Sequence, residues 1–404
     1  MRGAGLAAVG LQRALQRQGR LGAAALLAAL ALAGCSSLPS VNPMDWLGSQ
    51  PSGPKPAALP ALTNPPAVRT LWTASVGAAE SFVFSPVLVG DSVFAAARSG
   101  TVVRLDAATG QSRWRVSAGK PISAGVGADD TLAVVATGDG EVIALDAKTG
   151  AVRWRARVSS EVLAAPQLGE GLVLVRSADS RIFAFGVEDG KRRWVYQRSA
   201  ASLIVRSPVG VTVHQGMAYA GFSGGKLAAV SLANGALRWD ATVALPKGAT
   251  ELERVTDIVG NPWAQGREVC VAAFQGRVGC YDAQKGSQLW SREMSTLTGV
   301  SFDARYAFIS DDKGALHALD RSNGRSIWKQ DRLAHRRLSL PVPLGTEVAA
   351  GDLEGFVHFM ARESGAFVAR AATDGTPVRA APVRLAEGML VQTAGGGLYA
   401  LRLN

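Results

Sequence analysis

Cysteine is scarce. Three thiols in 404 residues exclude a disulfide-dense scaffold and any zinc site built mainly on thiolates. The four histidines, His214, His317, His335 and His358, are scattered, with no His-x-His or His-Glu-x-x-His spacing, and read as polar strand or loop residues. The chain has no phosphate loop, no Gly-x-Ser-x-Gly elbow and no Asp-x-Asp-x-Asp-Gly calcium loop. Asp311-Asp312 and Asp352…Glu354 fall at predicted hairpin turns instead. Lys and Arg number 43 against 32 Asp and Glu, yet no run of five or more basic residues occurs, so no nucleic-acid partner is expected. What is plentiful is apolar residues, 48%, and glycine, 46 residues. The first rules out wholesale disorder, and the second points to many tight turns between short strands.

Residues 1–34 carry Arg2, Arg13, Arg17 and Arg20 and no acid, followed by the apolar run 21–33. That run is shorter than the roughly 20 residues of a spanning helix, and its basic flank precedes it, as in a secretory signal peptide. It ends Leu32-Ala33-Gly34-Cys35, which resembles a bacterial lipobox, so Cys35 is expected to be acylated after removal of 1–34. A multi-chain lipid anchor holds a protein on a membrane without spanning it. Ser36 brings no charge that would argue for inner-membrane retention, so the resemblance to bacterial lipoproteins, by their sorting rule, implies the periplasmic face of the outer membrane. Residues 36–68 hold eight of the 18 prolines, and 35–68 is read as lipidated Cys and Pro-rich tether, with a reach of up to about 100 Å at ~3.1 Å per residue.

From residue 69 to 404 one unit recurs. Ala144-Leu145-Asp146-Ala147-Lys148-Thr149-Gly150 is followed four residues after the glycine by Trp154. The frame returns with Gly110 and Trp114, Gly190 and Trp194, Gly235 and Trp239, Gly286 and Trp290, Gly324 and Trp328. A seventh copy ends at Gly365 with Ala369 where Trp is due, and Phe367 is expected to fill that space. Successive glycines are 40, 40, 45, 51, 38 and 41 residues apart, about the period of a four-stranded propeller blade. Prolines 86, 166, 208, 262, 341 and 382 are placed near the middle of the inner strands. Third-strand segments occur eight times, the last at 398–401, while Val68 to Trp72 reads as an unpartnered outer strand. Pairing the two closes an all-β, eight-bladed propeller of antiparallel blades and removes a free sheet edge.

The repeated residues have structural explanations. Glycine supplies the positive φ of a tight turn, Asp and Thr accept backbone N–H groups within it, and each Trp covers a joint between blades, burying ~150–250 Å².

The Ala-x-Asp-x-x-Thr-Gly-x-x-x-Trp frame resembles the tryptophan-docking motif of the quinoprotein propellers. Together with the lipobox and eight blades, the stretches 249–257, 334–342 and 351–358 are similar to the BamB family, lipoproteins of the outer-membrane β-barrel assembly machinery. That resemblance implies a non-enzymatic scaffold with no cofactor, a monomer within a hetero-complex, whose partners are the periplasmic domains of BamA, other machinery subunits and unfolded outer-membrane proteins. The family meets BamA through two loops after the third and fourth complete blades. One has a Leu-x-Leu-Arg pattern, matched here by Leu203, Val205 and Arg206 with Val for the second Leu. The other has Asp-x-Asp, where Asp257 matches and Val259 does not; Arg254 lies just before it. The spacing points to the same places independently, because the 45- and 51-residue steps put the extra residues near 196–208 and 242–265, and insertions on a rigid ring are where binding specificity is usually built.

Two alternatives stay open. A quinone-dependent dehydrogenase of this family carries adjacent cysteines as a ring-stacking disulfide. Here Cys270 and Cys280 are ten apart on one predicted hairpin and could form only a structural bridge. A propeller lipoprotein holding another periplasmic partner or a polysaccharide differs from the assembly-factor reading only at 203–206 and 249–257.

Overall fold

The computed structural model describes residues 54–199 and 203–404. The expected leader, Cys35 and most of the tether lie outside the described residues. Among the described residues, 32 strands pair into eight four-stranded sheets, the eight-bladed antiparallel propeller expected. No described helix is long and apolar enough to cross a membrane. Blade 1 shows the plan: β2 (Val87–Val89), β3 (Ser92–Ala96), β4 (Thr101–Asp106) and β5 (Ser112–Ser117) pair in that order from the axis outwards. The second strand β3 is buried throughout, which is why it reads as a continuous apolar run. Outer strands such as β9 (Val152–Arg157) bury their Trp and expose its neighbours.

The inner-strand prolines fall differently from expectation. Pro86, Pro166, Pro341 and Pro382 immediately precede their paired strands, β2, β10 (Gln167–Gly169), β26 (Val342–Leu344) and β30 (Val383–Arg384), and of the six only Pro262 sits inside one, β18 (Ile258–Gln265). Proline has no N–H to give a ladder, so at those four positions pairing begins after it, although Pro343 is accommodated within β26 opposite Val348. At Pro262 the register of β18 against β19 (Glu268–Ala273) is broken between Val259 and Trp263.

Each of the seven repeat tryptophans docks on the next blade. Its indole N–H donates to a backbone carbonyl at the head of that blade's glycine turn: Trp72 to Ala107 (3.0 Å), Trp114 to Ala147 (3.0 Å), Trp154 to Val187 (2.8 Å), Trp194 to Leu232 (2.7 Å), Trp239 to Ala283 (2.9 Å), Trp290 to Arg321 (2.8 Å) and Trp328 to Arg362 (2.8 Å). The ring face lies on the turn glycine, so a Cβ on Gly235 would fall 2.8 Å from the Trp194 ring. Asp146 Oδ1 accepts the N–H groups of Lys148 and Thr149, shaping the turn as expected. An extra residue one place before each Trp, Arg113 in β5 for example, bulges the outer strand. Such a bulge bends the strand and re-aims the side chain after it.

The ring closes through β1 (Val68–Ser75), which pairs with β32 (Gly397–Leu403), Val68 facing Leu403 and Ser75 facing Gly397. The eighth blade therefore draws its strands from both ends of the repeat region and has no turn joining its third and outer strands. That explains the missing tryptophan: a Trp at 369 would have no turn glycine to lie on. Ala369 instead packs with Phe359, Val378, Met389 and Leu401. Phe367 does not fill this joint; it packs in the preceding one, against the cluster of Trp328, Phe308 and Met360.

Cys270 and Cys280 lie opposite each other on β19 and β20 (Arg277–Asp282) and are disulfide-bonded. Both are buried beside Trp290, in the middle strands of blade 5.

Candidate functional site

In each blade the connector from the outer strand to the next inner strand shares a face of the disc with the turn between second and third strands. The two longest such connectors are 198–210, between β13 (Arg192–Gln197) and β14 (Val211–His214), and 243–257, between β17 (Leu237–Thr242) and β18. They are joined through one carboxylate. Asp257 accepts the Val205 N–H on Oδ2 (2.6 Å) and the Gly224 N–H on Oδ1 (3.2 Å), and is only 5% exposed. Burial raises its pKa, outweighing the two N–H donors and the nearby Arg176 guanidinium. Burial likewise pulls Arg176 down to about 10, with Asp257 opposing; its Nη1 holds the Val209 carbonyl (2.9 Å). Asp257 thus fixes the loops from beneath rather than facing outwards.

The loops present large apolar side chains, Leu245 among them, set between the exposed charges of Arg206, Lys247, Glu251, Glu253 and Arg254. Leu203 is 43% exposed, its neighbour Ile204 39% and Leu252 72%. Val205 is half-buried, its backbone held by Asp257. Leu252 and the exposed Arg254 project from a single turn built by a capping box: the Glu253 N–H donates to Thr250 Oγ1 (3.2 Å), while Glu253 Oε2 accepts the N–H groups of Thr250 (3.1 Å) and Ala249 (2.8 Å). These N–H groups lower the pKa of Glu253. Ile204 and Leu252 were not singled out from sequence; the Thr250-x-x-Glu253 signature was the available clue.

Arg206 reaches sideways. Its Nη2 donates to Glu161 Oε1 (2.7 Å) and its guanidinium stands 5.2 Å from the centre of the Phe82 ring. Phe82, Glu161 and Arg206 lie in the segments leading into the inner strands of blades 1, 3 and 4. Residues from blades so far apart meet only near the axis, so Arg206 is held over the mouth of the central channel. On the opposite face, Trp263, Phe302, Asp303, Arg321 and Arg362 line a cavity of ≈ 680 Å³. Two of its arginines are tied, Arg321 to Glu268 and Arg362 to Asp303, and Arg384 also lines it.

The histidines are less scattered in space than along the chain. Blades 6 and 7 repeat an Asp-x5-His pair across their second hairpins: His317 Nε2 lies 2.9 Å from Asp311 and His358 Nε2 lies 2.8 Å from Asp352. In blade 7, Arg336 Nε also donates to Asp352 (2.7 Å), and Arg370 Nε lies 3.4 Å from His358 Nδ1. Burial alone would raise the Asp352 carboxyl, but His358 and Arg336 hold it below its usual value. Burial lowers His358, outweighing the Asp352 carboxylate, with the Arg370 and Arg336 charges helping; the aromatic neighbours Phe356 and Phe367 complete its surroundings. The folded state thus resists protonating His358 while the unfolded chain takes up a proton near its ordinary 6.5. Stability from this site is fully present above about pH 6.5 and declines as pH falls towards the folded value. The urea midpoint is expected to drop between about pH 6.5 and 5, with a smaller slope in His358→Gln; equal slopes would remove His358 as the cause.

The family model described as "Outer membrane protein assembly factor BamB" matches residues 63–123 and 98–330. A Bordetella pertussis protein of that description is 41% identical over 384 residues, covering 95% of this chain and 97% of the relative. The crystal structure of BamB from Moraxella catarrhalis superposes with a TM-score of 0.76 at 26% identity, covering 83% of this chain and all of that one. The quinohemoprotein alcohol dehydrogenase of Comamonas testosteroni, at 14% identity and a TM-score of 0.65 over 83% of this chain and 76% of that one, shares the fold alone. With the repeat frame, the ring closure and these matches taken together, the chain belongs to the BamB family of outer membrane protein assembly factors.

Proposed function

We propose that this chain is a non-enzymatic scaffold of the β-barrel assembly machinery, held at the periplasmic face of the outer membrane by acylated Cys35 and docked on the periplasmic domains of BamA. The docking surface is the pair of connectors locked together by Asp257, with Leu203, Ile204 and Leu252 as apolar anchors and Arg206 and Arg254 as cations beside them. The observation that carries this reading is the Asp257–Val205 link. It orders two long loops so that large apolar side chains stand out to solvent, and a pre-ordered apolar and arginine surface is the composition of a binding hot spot. From such a dock the disc would help deliver unfolded outer-membrane proteins. The Cys270–Cys280 bridge has a structural role in this reading: it lies in the middle strands of blade 5, away from the axis where a ring-stacking pair would be needed.

The test is a pull-down from detergent-solubilised envelopes. Leu203→Glu and Arg206→Glu are each expected to reduce BamA recovery by about tenfold or more, the effect of losing a hot-spot contact, with the melting temperature unchanged. Wild-type recovery from both variants would overturn the assignment of this surface.

A further inference from the structure

The chain ahead of β1 does not leave the disc at Val68. Residues 56–60, expected to be free tether, lie against the connector between blades 6 and 7 and the outer strand of blade 7, β29 (Phe367–Ala372). The Ala57 N–H donates to the Ala334 carbonyl (2.9 Å), Arg336 Nη1 donates to the Ala57 carbonyl (2.9 Å), and Arg370 Nη2 donates to the Pro60 carbonyl (2.8 Å). The two accepting carbonyls are three residues apart. A polyproline-type helix has three residues per turn and rises ~9 Å over them, so both carbonyls face the same side. Pro56 and Pro60 favour that conformation.

The receiving arginines are held in place from behind. Arg336 is 2% exposed, bonded to Asp352 and also to Glu354, while Arg370 rests against His358. Residues on either side of Arg336, His335 at φ 60° and Arg337 at φ 48°, take left-handed backbone angles. That conformation is unfavourable for non-glycine residues and persists only where the surroundings enforce it.

We propose that the Ala334 carbonyl, Arg336 and Arg370 form a built receptor for an extended, proline-bearing segment, occupied by the chain's own residues 56–60, and that this clamp sets where the tether departs. The departure point is the connector between blades 6 and 7, on the face that also carries the connectors 198–210 and 243–257. If Cys35 is the lipid attachment, the chain between it and the disc ends at Pro56 rather than Val68, and the greatest distance it can span falls from about 100 Å to about 65 Å at 3.1 Å per residue. The receptor itself does not depend on the lipid or on BamA.

Amide exchange on the full chain tests it. The Ala57 N–H is expected to exchange at least about 100-fold more slowly than that of Ala58, a ratio that Arg370→Gln reduces by about tenfold or more. Arg336 is left intact, because removing it would strand Asp352. Ala57→Pro, which deletes the bonded N–H from a partly exposed residue, is expected to speed proteolysis between residues 56 and 66 by about tenfold or more. Exchange of Ala57 at the rate of a free peptide, a ratio unchanged by Arg370→Gln, or cleavage unaffected by Ala57→Pro would each overturn the clamp. None of these readouts involves BamA, so failure of the docking surface leaves them standing.

Discussion

Replacing Trp194 with alanine is expected to lower the unfolding free energy of the disc by about 3–5 kcal/mol, the range for deleting a buried large aromatic side chain. Two losses combine. The ring is buried between blades 3 and 4 among Leu174, Ala184 and Leu232, and its removal leaves a void in a core otherwise built largely from alanine and valine. Its indole N–H also satisfies the Leu232 carbonyl at 2.7 Å, which would be left without that donor. Trp194→Phe keeps much of the area and loses the hydrogen bond, so its cost should be smaller. Ala369→Trp is the converse test: with no turn glycine in the eighth blade to receive it, the added ring should destabilise rather than stabilise. Denaturant titrations of the three variants decide the matter. A cost below about 1 kcal/mol for Trp194→Ala would mean the docked tryptophans are not major supports of the ring.

Asp352→Ala should be comparably severe, at about 3–5 kcal/mol, because it leaves the buried Arg336 guanidinium without its close buried partner and His358 without its acceptor. The contrast is Asp91→Ala. Asp91 pairs with Arg113 at 2.6 Å, and the arginine holds its carboxyl down to about 2, yet the pair stands in solvent and its removal should barely move the denaturation midpoint. If both variants behaved alike, burial would not be what gives the blade 7 cluster its weight.

The ring was legible in the sequence because its cause is local. Gly110 to Trp114 and its five counterparts repeat at blade spacing, and each of them needs the same positive-φ turn and the same cover. The displaced prolines are intelligible in hindsight, since a residue without an N–H marks where pairing starts rather than where it runs. Phe367 was misassigned because periodicity gives a position in the strand and not the joint it faces. Asp257 was found for a partner-facing role, but its link to Val205 spans 52 residues of sequence and could not be read from either loop alone. The Asp-x5-His pairs are visible in sequence only as a spacing shared by consecutive blades, which no single histidine reveals. The clamp on residues 56–60 was hidden most thoroughly: prolines there signal extension, and their partners at 334–336 and 370 follow only after nearly the whole ring.

Ring closure also has a kinetic side. Seven blades can zip from hairpins between neighbours, whereas the eighth requires Val68 to find Leu403, roughly 335 residues away, and so carries the largest loop-closure entropy in the molecule. Completion is therefore expected to be the slow, late event of folding. Until it happens, β1 and β32 each offer a bare ladder of unpaired backbone groups to any neighbouring chain, so the nearly finished disc is more prone to aggregate than the finished one.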